Sequence, residues 1–251
     1  MSTQTLAQLR QLKLSGMAIA LQTQLEQVGT YEGISFVDRL GLLVDQECLS
    51  REQRKQERLV RQARFKLRAT IQEIDYQHPR NITQNKIAGL AQGDWIHRGQ
   101  NLLITGPCGS GKTYLGCALG HNACLHGYSV RYYRLSRLLM ALTQAKADGS
   151  YYKQLKLLAK VQLLIIDDWG LEPLKPAHRN DLMEIMDDRH SQMSTVMISQ
   201  LPTDQWYASI GENTLADAIL DRLMHNAHRL QLKGESMRKI LGQLTQDEHL
   251  G

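Results

Sequence analysis

The feature that most constrains the fold of this chain is the segment GPCGSGKT at residues 106–113. It matches the pattern GxxxxGK[ST] without a mismatch. A short apolar run at residues 101–105 precedes it, and a helical pattern at about 112–126 follows it. A strand, a glycine-rich turn and a helix in this order predict a phosphate-binding loop in an α/β protein.

Each residue type in this loop has a physical reason. Glycines allow backbone N–H groups to close around phosphates, and the start of the helix adds its positive end. We expect Lys112 to reach the β- and γ-phosphates of ATP and Thr113 to offer its hydroxyl to Mg²⁺. The residues predicted to contact the nucleotide are Gly106, Pro107, Cys108, Gly109, Ser110, Gly111, Lys112, Thr113 and Tyr114.

Short apolar runs alternate with helical patterns from residue 101 onward. The predicted strands are 101–105, 129–134, 163–167, 195–199 and 228–232, and the predicted helices between the first four are 112–126, 135–147, 151–160 and 176–191. Two more helices are expected before the last strand. This alternation predicts a parallel sheet that is covered by helices on both faces.

Residues 1–77 read as helical throughout, and His78-Pro79 ends the pattern because proline disfavours helical geometry in the residue before it. A helix is expected at Ser35–Glu47, and a long basic helix follows it with Val60, Ala63, Leu67, Ile71 and Ile74 on one face. Residues 78–98 look like a connector. The sequence therefore predicts an all-helical domain at 1–77 and an α/β domain at 78–251.

The net charge of +5 is concentrated in two segments. Residues 51–68 hold eight basic residues against two glutamates, and residues 131–160 hold seven against one aspartate, so each segment carries +6. Arginine suits a polyanion partner because its planar fork binds phosphate oxygens in pairs, although a solvated helix face is the alternative. The predicted DNA contacts are Arg51, Arg54, Arg58, Arg61, Arg68, Arg134, Arg137 and Lys153.

Polar residues follow two of the predicted strands where a phosphate loop would need them. Asp167 ends the run LLIID and is predicted to hold Mg²⁺, while Asp168 is predicted to polarise the attacking water. Glu172 is an alternative for that second role. Ser199 and Gln200 end the neighbouring strand and are candidates for contacting the γ-phosphate or the water, or for simply ending the strand.

Composition excludes several classes of protein. Hydrophobic residues make up 42% of the chain, which is enough for a core. The sequence has no apolar run long enough to span a bilayer and no apolar signal segment at its start. Its four cysteines lack CxxC spacing, so reduced cytosolic thiols are expected. We therefore expect a cytoplasmic protein with no membrane partner.

The strings GPCGSGKTYL, LLIIDDWGLEPL, SQLP and ADAILDRLMHNAHRLQLKGESMRK together carry a resemblance to a known family. They resemble the AAA+ ATPases in the branch of bacterial initiators and helicase loaders. They are most similar to the IstB-like ATP-binding proteins of bacterial insertion sequences. The N-terminal strings LRQLKLSGMA and SREQRKQERLVRQARF look similar too, so the resemblance covers nearly the whole chain.

The resemblance implies roles for two further arginines. Arg222 matches the arginine finger, which reaches the nucleotide of an adjacent subunit. Arg238 matches the second sensor arginine, but only 13 residues follow it, so a full helical lid domain has no room. The lid is therefore expected to be minimal or absent, and Arg238 could serve a subunit interface instead of sensing nucleotide.

The resemblance also implies a function. It implies an ATPase that needs ATP and Mg²⁺, forms homo-oligomers on duplex DNA with little sequence preference, remodels the DNA and recruits or activates a transposase. The helical domain would bind DNA and support assembly, and the protein would be associated with the nucleoid. Three alternatives remain: a replicative helicase loader, a small-molecule P-loop kinase, and an architectural DNA binder with a vestigial nucleotide site.

Overall fold

The computed structural model of the protein describes residues 2–234, 236 and 237. The chain forms two compact units, residues 1–58 and 59–251. The structural division therefore comes before residue 77, where the sequence places a domain boundary. Residues 59–77 belong to the second unit because Leu59, Ala63, Ala69 and Ile74 are buried in its core.

The first unit is helical. Its elements are α1 (Ser2–Gln11), α2 (Ser15–Glu26), α3 (Val28–Tyr31) and most of α4 (Phe36–Ala63). The buried carboxylate of Glu47 accepts hydrogen bonds from the backbone N–H groups of Gly16 (2.7 Å) and Met17 (3.2 Å). It thereby caps the first turn of α2 from α4, where a negative charge also meets the positive end of the helix.

The predicted basic helix ends earlier than its apolar spacing suggests. Helix α4 stops at Ala63, Arg64 has a φ of 57°, and none of residues 64–83 lies in a helix or strand. The prediction of a helix through Ile74, and of helix throughout residues 1–77, is therefore wrong. The spacing instead reflects burial of an irregular segment, since Ala69 and Ile74 pack in the core without helical geometry.

The second unit contains a five-stranded sheet in the part of the chain that the structure describes. The strands are β1 (Asn101–Thr105), β2 (Val130–Arg134), β3 (Leu163–Trp169), β4 (Ser194–Ser199) and β5 (Ala227–Gln231). Their order is β2-β3-β4-β1-β5, and all neighbours pair in parallel. The predicted parallel sheet is confirmed.

Helices cover both faces of the sheet. They are α5 (Gln84–Ala91), α6 (Asp94–His97), α7 (Lys112–Leu125), α8 (Leu135–Ala147), α9 (Tyr151–Lys160), α10 (Pro176–Arg189), α11 (Trp206–Ile210) and α12 (Asn213–Met224). Leu102 and Ile104 point into a core with α5, α6 and α7, whereas Leu103 points into a core with α8 to α12. The expected connector at 78–98 thus contains α5 and α6.

Because the strands are parallel, the loops after β1, β3 and β4 meet at one edge of the sheet, which is where ligands bind in such folds. Within the described residues, no helix combines the length and the apolar character that a membrane crossing requires.

Candidate active site

The glycine-rich loop lies between the central strand β1 and helix α7. All five residues of β1 are buried, and α7 begins at Lys112 directly after the loop. Gly111 has a φ of 91°, a conformation that glycine adopts without the penalty a Cβ brings. The loop therefore presents its backbone and the positive end of a helix of 14 residues to the same space.

Lys112 and Thr113 take the places expected of them. The Lys112 side chain is largely buried, and its Nζ donates to the backbone carbonyl of Pro107 at 2.7 Å, across the loop. The Thr113 hydroxyl donates to Asp167 Oδ2 at 2.8 Å. This hydrogen bond between two side chains joins the residue after the loop lysine to the end of β3.

Asp167 is 2% exposed, and its carboxylate accepts three hydrogen bonds. Besides Thr113, the hydroxyl of Tyr132 on β2 donates to Oδ2 at 2.6 Å, and the backbone N–H of Asp168 donates to Oδ1 at 2.8 Å. Burial and the bond to Asp167 raise the pKa of Tyr132, so this hydroxyl keeps its proton and acts as a donor. Sequence reasoning did not identify Tyr132, because a tyrosine within an apolar strand reads as core.

Asp168 lies in a local irregularity of the sheet. The pairing of β3 with β4 shifts register between Ile166 and Trp169, and Asp168 has a φ of 63°. A non-glycine residue in this region costs on the order of 1 kcal/mol, and such strain clusters at functional sites. The Asp168 carboxylate pairs with Arg134 Nε at 2.7 Å. Arg134, predicted to contact DNA, is thus also a partner of the predicted water-polarising residue.

Ser199 and Gln200 differ in their surroundings. The Ser199 hydroxyl donates to the Trp169 carbonyl at 2.9 Å and accepts from the Leu201 N–H at 3.0 Å, and the residue is 1% exposed. It joins the ends of β3 and β4. Both residues line the cavity beside the loop, but Gln200 is exposed and the Ser199 hydroxyl is already engaged, so Gln200 is the better placed of the two for a ligand contact.

A cavity of about 380 Å³ opens in front of the glycine-rich loop. Part of its wall beside the loop comes from the irregular segment before α5 and from the residues after β5. The residues that sequence reasoning did not connect with the site are Lys66, Leu67, Glu73, Ile74, Asp75, Arg80, Ile82, Leu232 and Met237. They carry no motif, and only the tertiary fold brings them to the loop.

The residues present fit ATP and Mg²⁺. A Cβ at Gly106 would lie 2.5 Å from the Leu232 carbonyl oxygen, so the loop admits only glycine at that place. Thr113 and Asp167 offer the hydroxyl and carboxylate oxygens that Mg²⁺ prefers. No cluster of three or more His, Cys, Asp or Glu suited to a metal occurs among the described residues.

The two arginines assigned by resemblance lie elsewhere. Arg222, on α12, pairs with Asp187 Oδ1 through Nε at 2.8 Å and Nη2 at 2.7 Å. It is absent from the cavity lining as far as the structure describes the chain. Within one subunit it therefore contacts α10 rather than the loop. Arg238 lies outside the described residues.

The predicted DNA contacts are all exposed side chains. Arg51 and Arg54 contact Glu47 at 2.7 and 3.5 Å, so part of their charge is neutralised within the first unit. Arg68 lies on the irregular segment after α4 and not on a helix. Exposure is what phosphate contacts require.

Comparison with known proteins agrees with this fold and site. The profile of the family described as IstB-like ATP binding protein matches residues 7–243. The chain belongs to this family. It is 46% identical over 235 residues to the insertion sequence ATP-binding protein y4pL of Sinorhizobium fredii, covering 94% of this chain and 96% of that protein. It is 48% identical over 204 residues to the IS1162 ATP-binding protein of Pseudomonas fluorescens, covering 81% and 88%.

The solved structure of the DnaC helicase loader shares the fold of this IstB-like protein. It has a TM-score of 0.53 and 22% identity over 66% of this chain and 97% of that one. At this identity the likeness shows the P-loop AAA+ fold alone. The predicted family and fold are both confirmed.

Proposed function

We propose that this IstB-like protein is a Mg²⁺-dependent ATPase that assembles on duplex DNA and assists transposition by recruiting or activating a transposase. One observation carries the ATPase part of the proposal. Lys112, Thr113 and Asp167 line one cavity at the beginning of helix α7. Asp168, whose backbone is strained, lines the same cavity.

The residues divide the chemistry among them. Lys112 and the loop N–H groups bind the phosphates, and Thr113 and Asp167 hold Mg²⁺. The bound ion neutralises charge on the phosphates during transfer to water. Asp168 orients and polarises that water, and its ion pair with Arg134, made through Oδ2, either restrains or supports the carboxylate in this role.

The DNA part of the proposal is supported by charge and by family. Both +6 segments carry exposed arginines, and the two relatives compared above are named as insertion sequence proteins. If the contacts are to DNA phosphates, the protein should show little preference for DNA sequence, and its affinity for DNA should fall steeply as the salt concentration rises. Arg222 would leave Asp187 and reach the nucleotide of a neighbouring subunit, so that ATP favours assembly and hydrolysis favours release.

The deciding experiment measures phosphate release from ATP with and without duplex DNA, beside DNA binding at several salt concentrations. We expect DNA-stimulated hydrolysis that Lys112→Ala abolishes, and a log affinity that falls linearly with log salt. Arg222→Ala should bind ATP but lose the stimulation, and mixing it with Lys112→Ala should restore part of it through intact composite sites. A flat salt dependence would contradict backbone contacts.

The helicase loader is the second candidate, because the DnaC helicase loader has the same fold. Capture experiments with the purified chain separate the two: a transposase partner supports the proposal, and a replicative helicase supports the alternative. Stoichiometric release of free phosphate, with no other acceptor, excludes a small-molecule kinase.

A further inference from the structure

Arg80 is a buried cation in the wall of the nucleotide cavity. It is 7% exposed and lies in the irregular segment between Asp75 and α5. Its Nη1 donates to the Ser110 carbonyl at 3.4 Å, and its Nη2 donates to the Asp75 carbonyl. Its Nε has no hydrogen-bond partner in the part of the chain that the structure describes.

The guanidinium group adjoins the phosphate-binding loop. A Cβ at Gly111 would lie 2.7 Å from Arg80 Nη1, so the absence of a side chain at Gly111 makes room for this group. Arg80 lines the same cavity as Lys112 and Thr113. A second positive side chain thus lines the cavity next to the loop that is predicted to bind phosphates.

The backbone around Arg80 is held in place. The Arg80 carbonyl accepts from the Lys233 N–H at 3.1 Å, and the Asn81 side-chain amide donates to the Gln231 carbonyl at 2.9 Å. The segment therefore runs along the end of β5, the strand next to β1. Contacts at both Arg80 and Asn81 fix the direction from which the guanidinium enters the cavity.

The Arg80 guanidinium has no carboxylate in direct contact. Across the described residues, none of the ion pairs within 4.0 Å includes Arg80; burial lowers its pKa, and the nearby charge of Asp75 opposes that shift only in part. A buried charge without a close anionic partner is unfavourable. The buried Arg189 also has no carboxylate partner among these residues, but four neutral oxygens accept from its guanidinium nitrogens, whereas Nε of Arg80 has no acceptor there.

We propose that Arg80 binds the phosphate groups of the nucleotide, which would bring negative charge into direct contact with its guanidinium and an acceptor for Nε. This inference rests on the proposed function, since it takes ATP as the ligand. Under this proposal Arg80 destabilises the protein without nucleotide and stabilises the complex with bound nucleotide. The segment ahead of α5 thereby becomes part of the ATP site, although it carries no recognisable motif.

The test compares Arg80→Met, Arg80→Lys and wild type by ATP titration calorimetry with Mg²⁺ and by thermal unfolding without nucleotide. We expect Arg80→Met to weaken ATP binding by about tenfold to a hundredfold, in the range of a lost charge-assisted contact. Its midpoint of unfolding without ATP should equal or exceed that of wild type. Arg80→Lys should recover part of the affinity. Arg98→Met, which removes an exposed charge outside the cavity lining, should match wild type in both measurements.

Two results would overturn the proposal. One is unchanged ATP affinity in Arg80→Met. The other is a lower midpoint of unfolding together with an affinity that Arg80→Lys does not restore, since that pattern belongs to a purely structural arginine. If wild type itself does not bind ATP, the proposed function fails, and the calorimetry of wild type alone reveals that case.

Discussion

Buried polar groups have different surroundings at the two edges of the sheet, one where the strands begin and one where they end. At the edge where β3 and β4 begin, Arg189 is 2% exposed and donates to Val161 (2.7 Å) and Thr195 (3.1 Å), as well as to the carbonyls of Leu158 and Ser194. Asn101 also uses both ends of its amide there, accepting from Thr195 N–H and donating to carbonyls at the end of α12.

At the edge where the strands end, one buried polar group lacks a partner among the described residues and one residue has a strained backbone. Arg80 is buried and its Nε has no partner among the residues that the structure describes, and Asp168 has a left-handed backbone beside a register shift in the sheet. Satisfied groups stabilise a fold, while strained or unpaired groups persist where a ligand or a reaction compensates for them. For these residues the comparison teaches that Arg189 and Asn101 hold the sheet together, whereas Arg80 and Asp168 stand where a ligand can compensate for them. His190, with an unpartnered Nδ1 among the described residues, and the left-handed Ser191 show that the contrast does not extend to every residue of the first edge.

The sharpest test of this comparison is Arg189→Met. It leaves the carbonyls of Leu158, Val161 and Ser194 without their donor, so we expect a loss of about 3 kcal/mol or more in the free energy of unfolding. The milder Arg189→Lys keeps a nitrogen donor for some of these carbonyls, so it should destabilise less. Denaturant unfolding gives both values. An ATP affinity that changed in the folded variant would contradict the separation of the two edges.

Asp168→Asn changes the edge where the strands end, and we expect it to affect catalysis rather than stability. The amide keeps the size of the side chain but polarises water poorly, so we expect kcat for ATP hydrolysis to fall about 100-fold or more, with ATP binding retained. Single-turnover phosphate release measures the chemistry directly. Glu172→Gln is the matched variant, because Glu172 is exposed in the following loop. Normal turnover in Asp168→Asn together with a loss in Glu172→Gln would move the role to Glu172.

Much of this edge could be predicted from the sequence where local pattern and chemistry coincide. The loop at 106–113, Asp167 at the end of an apolar strand and the parallel sheet all follow from contiguous residues whose spacing is set by one element. The helix through Ile74 was a wrong prediction for the converse reason. Its 3.6-residue spacing came from contacts with the core of the second unit, which overrode helical propensity after Arg64.

The partners of these residues could not be predicted. Arg80 meets Ser110 across 30 positions and Tyr132 meets Asp167 across 35, so neither contact leaves a local signal. The ion pair between Arg134 and Asp168 depends on the pairing of β2 with β3, in which Arg134 stands opposite Asp167. Such contacts follow from the order of strands, and a single sequence does not encode that order in any short motif.

Tyr132→Phe tests whether the hydroxyl of Tyr132 is needed to orient the carboxylate of Asp167. The change removes only the hydroxyl that donates to Asp167 at 2.6 Å, so we expect the Mg²⁺ concentration needed for half-maximal ATP binding to rise roughly tenfold. ATP binding in EDTA should stay as in wild type. Tyr133→Phe is the matched control, since Tyr133 packs in the core on the other face of the sheet. Equal Mg²⁺ dependence in both variants would mean that Thr113 and the backbone suffice to orient Asp167.

Arg134→Gln should have the smallest effect, because its ion pair with Asp168 is partly exposed and such pairs are weak. If the pair holds Asp168 away from the water, the variant should hydrolyse ATP a few-fold faster without DNA, and DNA should stimulate it less. Arg98→Gln, the same substitution at an exposed arginine outside the cavity lining, should leave the DNA-free rate unchanged. A slower DNA-free rate in Arg134→Gln would show instead that Arg134 supports Asp168 in catalysis. The strain at Asp168 would then serve to fix the carboxylate rather than to let it move.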